Sequence, residues 1–71
     1  MKKFNQILDD KKNKDFAFLS WHKDKDSAGY ILSYYADPNK QAIKEDWFLE
    51  LDELLSYAED EYNANPEKWQ Y

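Results

Sequence analysis

A chain of 71 residues and 8.6 kDa holds a single domain, residues 1–71, with a small core. Ten Lys, no Arg and 15 carboxylates leave a net charge of −5, the wrong sign for a module that grips nucleic acid directly. Aromatics at 18% exclude a disordered tail despite a mean hydropathy of −1.07, and the lack of Cys removes disulfides, thiolate metal sites and cysteine nucleophiles.

Phe4, Ile7 and Leu8 fall at i, i+3 and i+4, which predicts a short amphipathic helix over Phe4–Asp10, fraying through Lys11, Lys12 and Lys14. Phe16-Ala17-Phe18-Leu19-Ser20-Trp21-His22 reads as a strand, and Tyr30-Ile31-Leu32-Ser33-Tyr34-Tyr35 as its hairpin partner. In the second, Tyr30 and Tyr34 share one face while Ile31 and Tyr35 share the other. Asp37-Pro38-Asn39-Lys40 has the chemistry of a tight turn, with Pro38 presetting φ and Asp37 and Asn39 accepting local backbone bonds. Gln41–Lys44 then makes a short third strand, with a helix starting at Gln41 as the other reading. Trp47, Phe48, Leu51, Leu54, Leu55, Ala58 and Tyr62 gather on one helical arc, so a long helix is expected from an Asp46 N-cap to a stop at Asn63–Pro66. The expected fold is α+β: a small αβββα domain, a three-stranded antiparallel sheet packed with a short N-terminal and a long C-terminal helix. Trp69 and Tyr71, beyond the helix stop, either stay exposed or fold back onto the sheet.

Charge is divided along the chain. Residues 1–35 hold seven Lys and five Asp, net +2, whereas residues 36–71 hold three Lys and ten acids, net −7. On the long helix Asp46, Glu50, Glu53, Asp60 and Glu61 share the face opposite the apolar arc, with Tyr57 among them. A helix tuned only for solubility interleaves Lys, and none occurs between Glu45 and Lys68. Such a stripe is either a solvated outer face or a mimic of a row of phosphates that fits a basic groove.

Other chemistry is thin. Asp24-Lys25-Asp26-Ser27-Ala28-Gly29 has the opening spacing of an EF-hand loop, but Ala28 and Tyr35 stand where ligands belong, so a plain hairpin loop is expected. His22 is the lone histidine, no serine sits in a nucleophile elbow, and one glycine cannot build a phosphate cradle. An enzyme is not expected, nor any cofactor or metal. With no apolar run near the roughly 18 residues of a membrane span and no signal-peptide core after Met1, a cytoplasmic monomer with no membrane partner is expected.

Phe4 through Phe16, with its Lys-Asn-Lys-Asp-aromatic ending, resembles the opening of a family of small prophage-encoded anti-CRISPR proteins that inhibit type II-A Cas9. Asp37-Pro38-Asn39 stands where that family has an Asp-Gly-Asn hairpin turn, and Ala58-Glu59-Asp60-Glu61-Tyr62-Asn63 looks like its acidic, Tyr-bearing segment. Pro38 in place of Gly and Lys40 in place of an acid are departures. The resemblance implies an αβββα order and an inhibitor of guide-RNA-loaded Cas9 in the bacterial host cell. Its acidic surface would enter the cleft that reads the protospacer-adjacent motif, competing with target DNA as a DNA mimic, while part of it approaches the RuvC site. The partner-binding residues it implies here are Asp15, Asp37, Asn39, Glu59, Asp60 and Glu61.

Overall fold

In the computed structural model, which describes residues 3–8 and 17–70, four strands form one antiparallel sheet and a single helix packs on one side of it. The strands are β1 (Phe4–Ile7), β2 (Phe18–Lys23), β3 (Tyr30–Tyr35) and β4 (Lys44–Phe48), followed by α1 (Leu51–Tyr62). They lie in chain order as a meander, β1-β2-β3-β4.

Three expectations are overturned. The first is the strand or helix start at Gln41–Lys44: residues 41–43 lie outside any element and the strand begins at Lys44. Phe4–Ile7 is a strand, not a helix, paired with Phe18–Trp21 of β2; Asp9 through Lys14 lie outside the described residues. Trp47 and Phe48 belong to β4, not to the long helix, and Asp46 is a strand residue rather than an N-cap. The sheet therefore has four strands and the domain one described helix, in place of αβββα. Pairing with β3 decides the third case, because Tyr30 and Ile31 meet Phe48 and Trp47 across the ladder. Cross-strand aromatic and β-branched pairs are the unit of sheet stability and outweigh a helical period that runs on by coincidence.

Strand alternation sorts the sheet into two faces. Toward the helix point Phe4 and Gln6, Leu19 and Trp21, Tyr30, Leu32 and Tyr34, and Asp46 and Phe48. Leu19, Leu32, Leu54 and Tyr34 are fully enclosed there, each Leu contributing roughly 1.5–3 kcal/mol of transfer free energy. Ala58 supplies the close approach of helix to sheet, being fully buried and small. Phe4 stacks on Trp21 with centroids 4.4 Å apart, and Trp21 meets Tyr30 edge-on. The helix ends where Asn63 turns left-handed at φ 59°, its N–H bonded to the Glu59 carbonyl and that of Ala64 to the Ala58 carbonyl.

The Tyr34 hydroxyl carried into this core is paired, whereas the enclosed Trp21 and Trp69 indole N–H groups have no hydrogen-bond partner among the described residues. The Tyr34 hydroxyl donates to Asp46 Oδ2 at 2.6 Å, Lys44 lies 3.7 Å from the same oxygen, and its ammonium sits 5.1 Å above the Tyr34 ring. Tyr62 closes on Tyr34 edge-on and Tyr57 on Tyr62. Burial first, and the Asp46 hydrogen bond second, push the Tyr34 hydroxyl far above its ordinary value of 10.0. Folding thus favours the neutral phenol. The stabilisation is fully present below pH about 10 and is lost as pH rises beyond it. Urea unfolding across that range should show stability falling steeply, and Tyr34→Phe should flatten the fall while itself costing about 1.5–3 kcal/mol at neutral pH. An unchanged alkaline slope in Tyr34→Phe would refute the assignment.

The β2–β3 loop is organised by its own side chains. Asp24 Oδ1 accepts from the Asp26 N–H and Oδ2 from the Ser27 hydroxyl, and these bonds hold its carboxyl below the usual carboxylate range. Ser27 Oγ in turn accepts from the Trp47 indole at 3.0 Å and from the Gly29 N–H at 3.2 Å. A Cβ on Gly29 would meet the Trp47 ring at 2.2 Å, so only glycine lets the indole lie there. The EF-hand-like run is therefore the hairpin loop expected of it, its first carboxylate spent on loop closure.

At the opposite edge, Gln6 is buried and its side-chain amide is doubly used. Nε2 donates to the Asn65 carbonyl at 2.9 Å, and Oε1 accepts from the Asn65 N–H at 2.8 Å. Asn5 and Gln70 exchange backbone bonds of 2.7 and 2.8 Å beside it, and Trp69 folds back against the core.

Candidate partner-binding surface

The acids sit where the helix sequence places them. With Leu54 and Ala58 buried against the sheet, and Leu51, Leu55, Tyr57 and Tyr62 half-buried, the solvent side of α1 consists of Asp52, Glu53, Ser56, Glu59, Asp60 and Glu61, all exposed. From Glu45 to Glu67 the chain carries nine carboxylates and no basic residue.

Their energetics differ along the helix. Asp52 and Glu53 lie in the first turn, where the positive end of the helix dipole favours them. Glu59, Asp60 and Glu61 crowd the last turn, which holds no basic residue, so they add negative charge to the negative end.

The turn residues share an end of the sheet with this last turn. Lys40 N–H donates to the Asp37 carbonyl at 3.0 Å and Asn39 N–H to Asp37 Oδ1 at 2.9 Å, the tight turn expected from the sequence. The loop bearing it leaves β3 just after Tyr35, and Tyr62, the last helical residue, packs on Tyr34. Asp37 is half-buried and Asn39 exposed. Asp15 lies outside the described residues. Asp37 and Asn39 thus lie in the turn that follows β3, and Glu59, Asp60 and Glu61 on the last turn of α1, whose Tyr62 packs on Tyr34 of β3.

Two members of the expected stripe depart. Asp46 faces the core and holds the Tyr34 hydroxyl. Tyr57 turns inward onto Phe48 and Tyr62, and the Tyr62 hydroxyl, then burial, push its own hydroxyl upward. Asp52 joins the acidic face unannounced; its i+4 and i+7 relation to Ser56 and Glu59 was the available signal.

The sheet's other face carries no helix among the described residues. Asn5 and Ile7, Phe18, Ser20 and His22, Ile31, Ser33 and Tyr35, and Glu45 and Trp47 point that way, with Ile7 70% and Trp47 50% exposed. Phe18 and Tyr35 meet edge-on at 5.4 Å, and Ser33 donates to Glu45 at 3.1 Å. Among the described residues no group of three or more His, Asp or Glu converges as metal ligands do. No described helix is long and apolar enough to cross a membrane. Comparison with protein-family models, with curated proteins and with solved structures finds no match.

Proposed function

We propose that this protein is a small acidic inhibitor that binds a basic nucleic-acid-handling protein and blocks the groove its nucleic acid needs, with guide-loaded type II-A Cas9 as the target. One observation carries the reading: a solvent side of α1 that bears five carboxylates and no basic residue and ends in a last turn where acids disfavour the helix. Acids placed against the dipole serve something other than the fold. Carboxylates bond Arg forks in pairs, and paired Arg side chains are what read the guanines of a protospacer-adjacent motif. The four-strand sheet departs from the αβββα order of the Cas9-inhibitor family, so the target is supported by the short matching runs around Asp37 and Glu59–Glu61 rather than by the fold.

The test is a DNA-cleavage assay with a panel of type II-A Cas9 enzymes, the protein added before or after target DNA at two salt concentrations. Inhibition only when it is added first, weakening with salt, is expected from competition for a basic cleft. Absence of inhibition with every enzyme removes Cas9 as the target. A non-catalytic protein-binding module is the second reading, favoured by the exposed Ile7 and Trp47 on the helix-free face. For that module, salt would have little influence on binding.

A further inference from the structure

We infer that the outer edge of β4 accepts an extended strand of a partner protein, one carrying a basic and an apolar side chain two positions apart. Neither this edge nor its residues take part in the acidic-helix reading, which holds or fails separately. The ladder bonds fix which way each backbone group points. Asp24 N–H donates to the Gly29 carbonyl, so every second pair of the β2–β3 register from there, His22–Ile31, Ser20–Ser33 and Phe18–Tyr35, is a bonded pair. Tyr30, Leu32 and Tyr34 therefore bond towards β4, where Phe48, Asp46 and Lys44 meet them. Glu45 and Trp47, lying between these, turn their N–H and C=O groups outwards, and no described strand lies beyond β4.

The two edges of the sheet are treated differently. β1 is closed by the chain itself: Asn5 exchanges backbone bonds of 2.7 and 2.8 Å with Gln70, and Gln6 holds the Asn65 backbone beside them. An edge left open is a template for another strand, and proteins blunt it with proline, an outward lysine or a covering loop. β4 contains no proline, and its one lysine, Lys44, is turned to Asp46 at 3.7 Å and to the Tyr34 ring at 5.1 Å. The remaining residues of this chain do not extend to the lane beside β4. Residues 9–16 join Leu8 to Ala17, which are bonded at 2.9 Å. They reach no further than about 15 Å from that pair, and the lane at Glu45 lies about 20 Å from it. Residues 1–2 and 71 adjoin the β1 side, three strands away.

The side chains along the edge define the chemistry of the occupant. Among the described residues, the exposed large apolar side chains are Ile7 and three on this one segment, Ile43, Trp47 and Leu49. The Trp47 indole is held by its bond to Ser27 at 3.0 Å, so its ring is presented in a fixed position. Glu45 stands exposed beside it on the same face, Glu50 follows, and no basic residue occurs from Glu45 to Glu67. Strand addition takes its affinity from main-chain bonds and its specificity from alternate side chains. A partner strand therefore sets Lys or Arg opposite Glu45 and an apolar residue opposite Trp47, and the two are two positions apart in either strand direction. A second copy of this chain brings the same acids and a net charge of −5, and fits less well.

The probe is a blocked synthetic peptide in which Thr alternates with Lys and Val in turn, added to the full chain, with amide hydrogen exchange and amide shifts read by NMR. The Glu45 and Trp47 amides should exchange freely in the chain alone and slow at least about tenfold when peptide is bound. A peptide with Glu in place of Lys should bind at least about tenfold more weakly. Glu45→Pro deletes one outward N–H and leaves the ladder to β3 intact, since proline is tolerated where the N–H faces away from the sheet. It should weaken binding at least about tenfold, whereas Glu45→Gln should lose only the preference for Lys. Should Glu45→Pro fail to fold, a peptide N-methylated at alternate residues removes the same bonds from the other side and should not bind. Unprotected Glu45 and Trp47 amides at about 1 mM peptide, where even weak binding registers, would overturn the proposal. So would equal binding of the Lys and Glu peptides or of the N-methylated one, and so would protection that appears in the chain alone as its concentration rises, which assigns the edge to a second copy.

Discussion

Replacing Gln6 by Leu is expected to lower the unfolding free energy by about 1–2 kcal/mol, although leucine fits the apolar face better by hydrophobicity. The amide it removes satisfies both the N–H and the C=O of Asn65, across 59 positions of sequence. A fully buried backbone group left unpaired costs about 1–3 kcal/mol; Asn65 is an exposed residue whose two bonds to Gln6 are part-buried, so water recovers part of the loss and the apolar gain offsets more of it. For a chain of this size the melting temperature should fall by about 5–15 °C. The loss should be local first, with hydrogen exchange at the Asn5 and Gln70 amides accelerating before that of the β2–β3 ladder. Gln6→Glu sharpens the test. Its protonated acid keeps one donor and one acceptor, while its carboxylate can only accept and confronts the Asn65 carbonyl. Folding therefore favours the neutral acid and raises its pKa, so the variant should gain stability as pH falls and lose it as pH rises. A melting temperature for Gln6→Leu within a degree or two of the parent would show that the C-terminal segment is held by Trp69 and the Asn5–Gln70 bridge alone.

The same residue shows where the sequence stopped being legible. Phe4, Ile7 and Leu8 fit a helical turn, and four residues are too few for a strand period to contest it. What makes Phe4–Ile7 a strand is non-local: β2 beside it and the Asn65 backbone that receives Gln6. Trp47 and Phe48 misled in the same way, by continuing the phase of Leu51, Leu54 and Leu55 across a break at Leu49 and Glu50. Only the need of β3 for a second neighbour, and of the buried Tyr34 hydroxyl for Asp46, places them on a strand. Features decided within a few residues read correctly. The hairpin of β2 and β3, the Asp37–Lys40 turn, the opposed faces of Tyr34 and Tyr35 and the stop at Asn63 all rest on local chemistry. The acidic face was legible for a related reason, since exposed positions answer to sequence spacing alone. The helix-free face was half visible, in Ile31 and Tyr35, but its rows needed the register.

Reversing Glu59, Asp60 and Glu61 to Lys together should abolish inhibition of the target, weakening it at least about a hundredfold, while leaving the fold as stable as before or more so. The sign of the stability change is the informative part. Lysines in the last turn of α1 meet the negative end of the dipole, where the native acids oppose it, so the melting temperature should hold or rise. The three changes also take the net charge from −5 to +1, and a fall in binding could follow from bulk charge alone. Asp52→Lys with Glu53→Lys provides the contrast. It shifts charge in the same direction at the other end of the same exposed face, and it should lower the melting temperature because acids favour the first turn. If the surface at the Tyr34–Tyr35 end of the sheet, with Asp37 and Asn39 beside the last turn, is what a basic groove receives, this second variant retains most of its inhibition. Equal loss in both, per unit of charge changed, would mean that the acids act as a diffuse field and that no positioned surface exists.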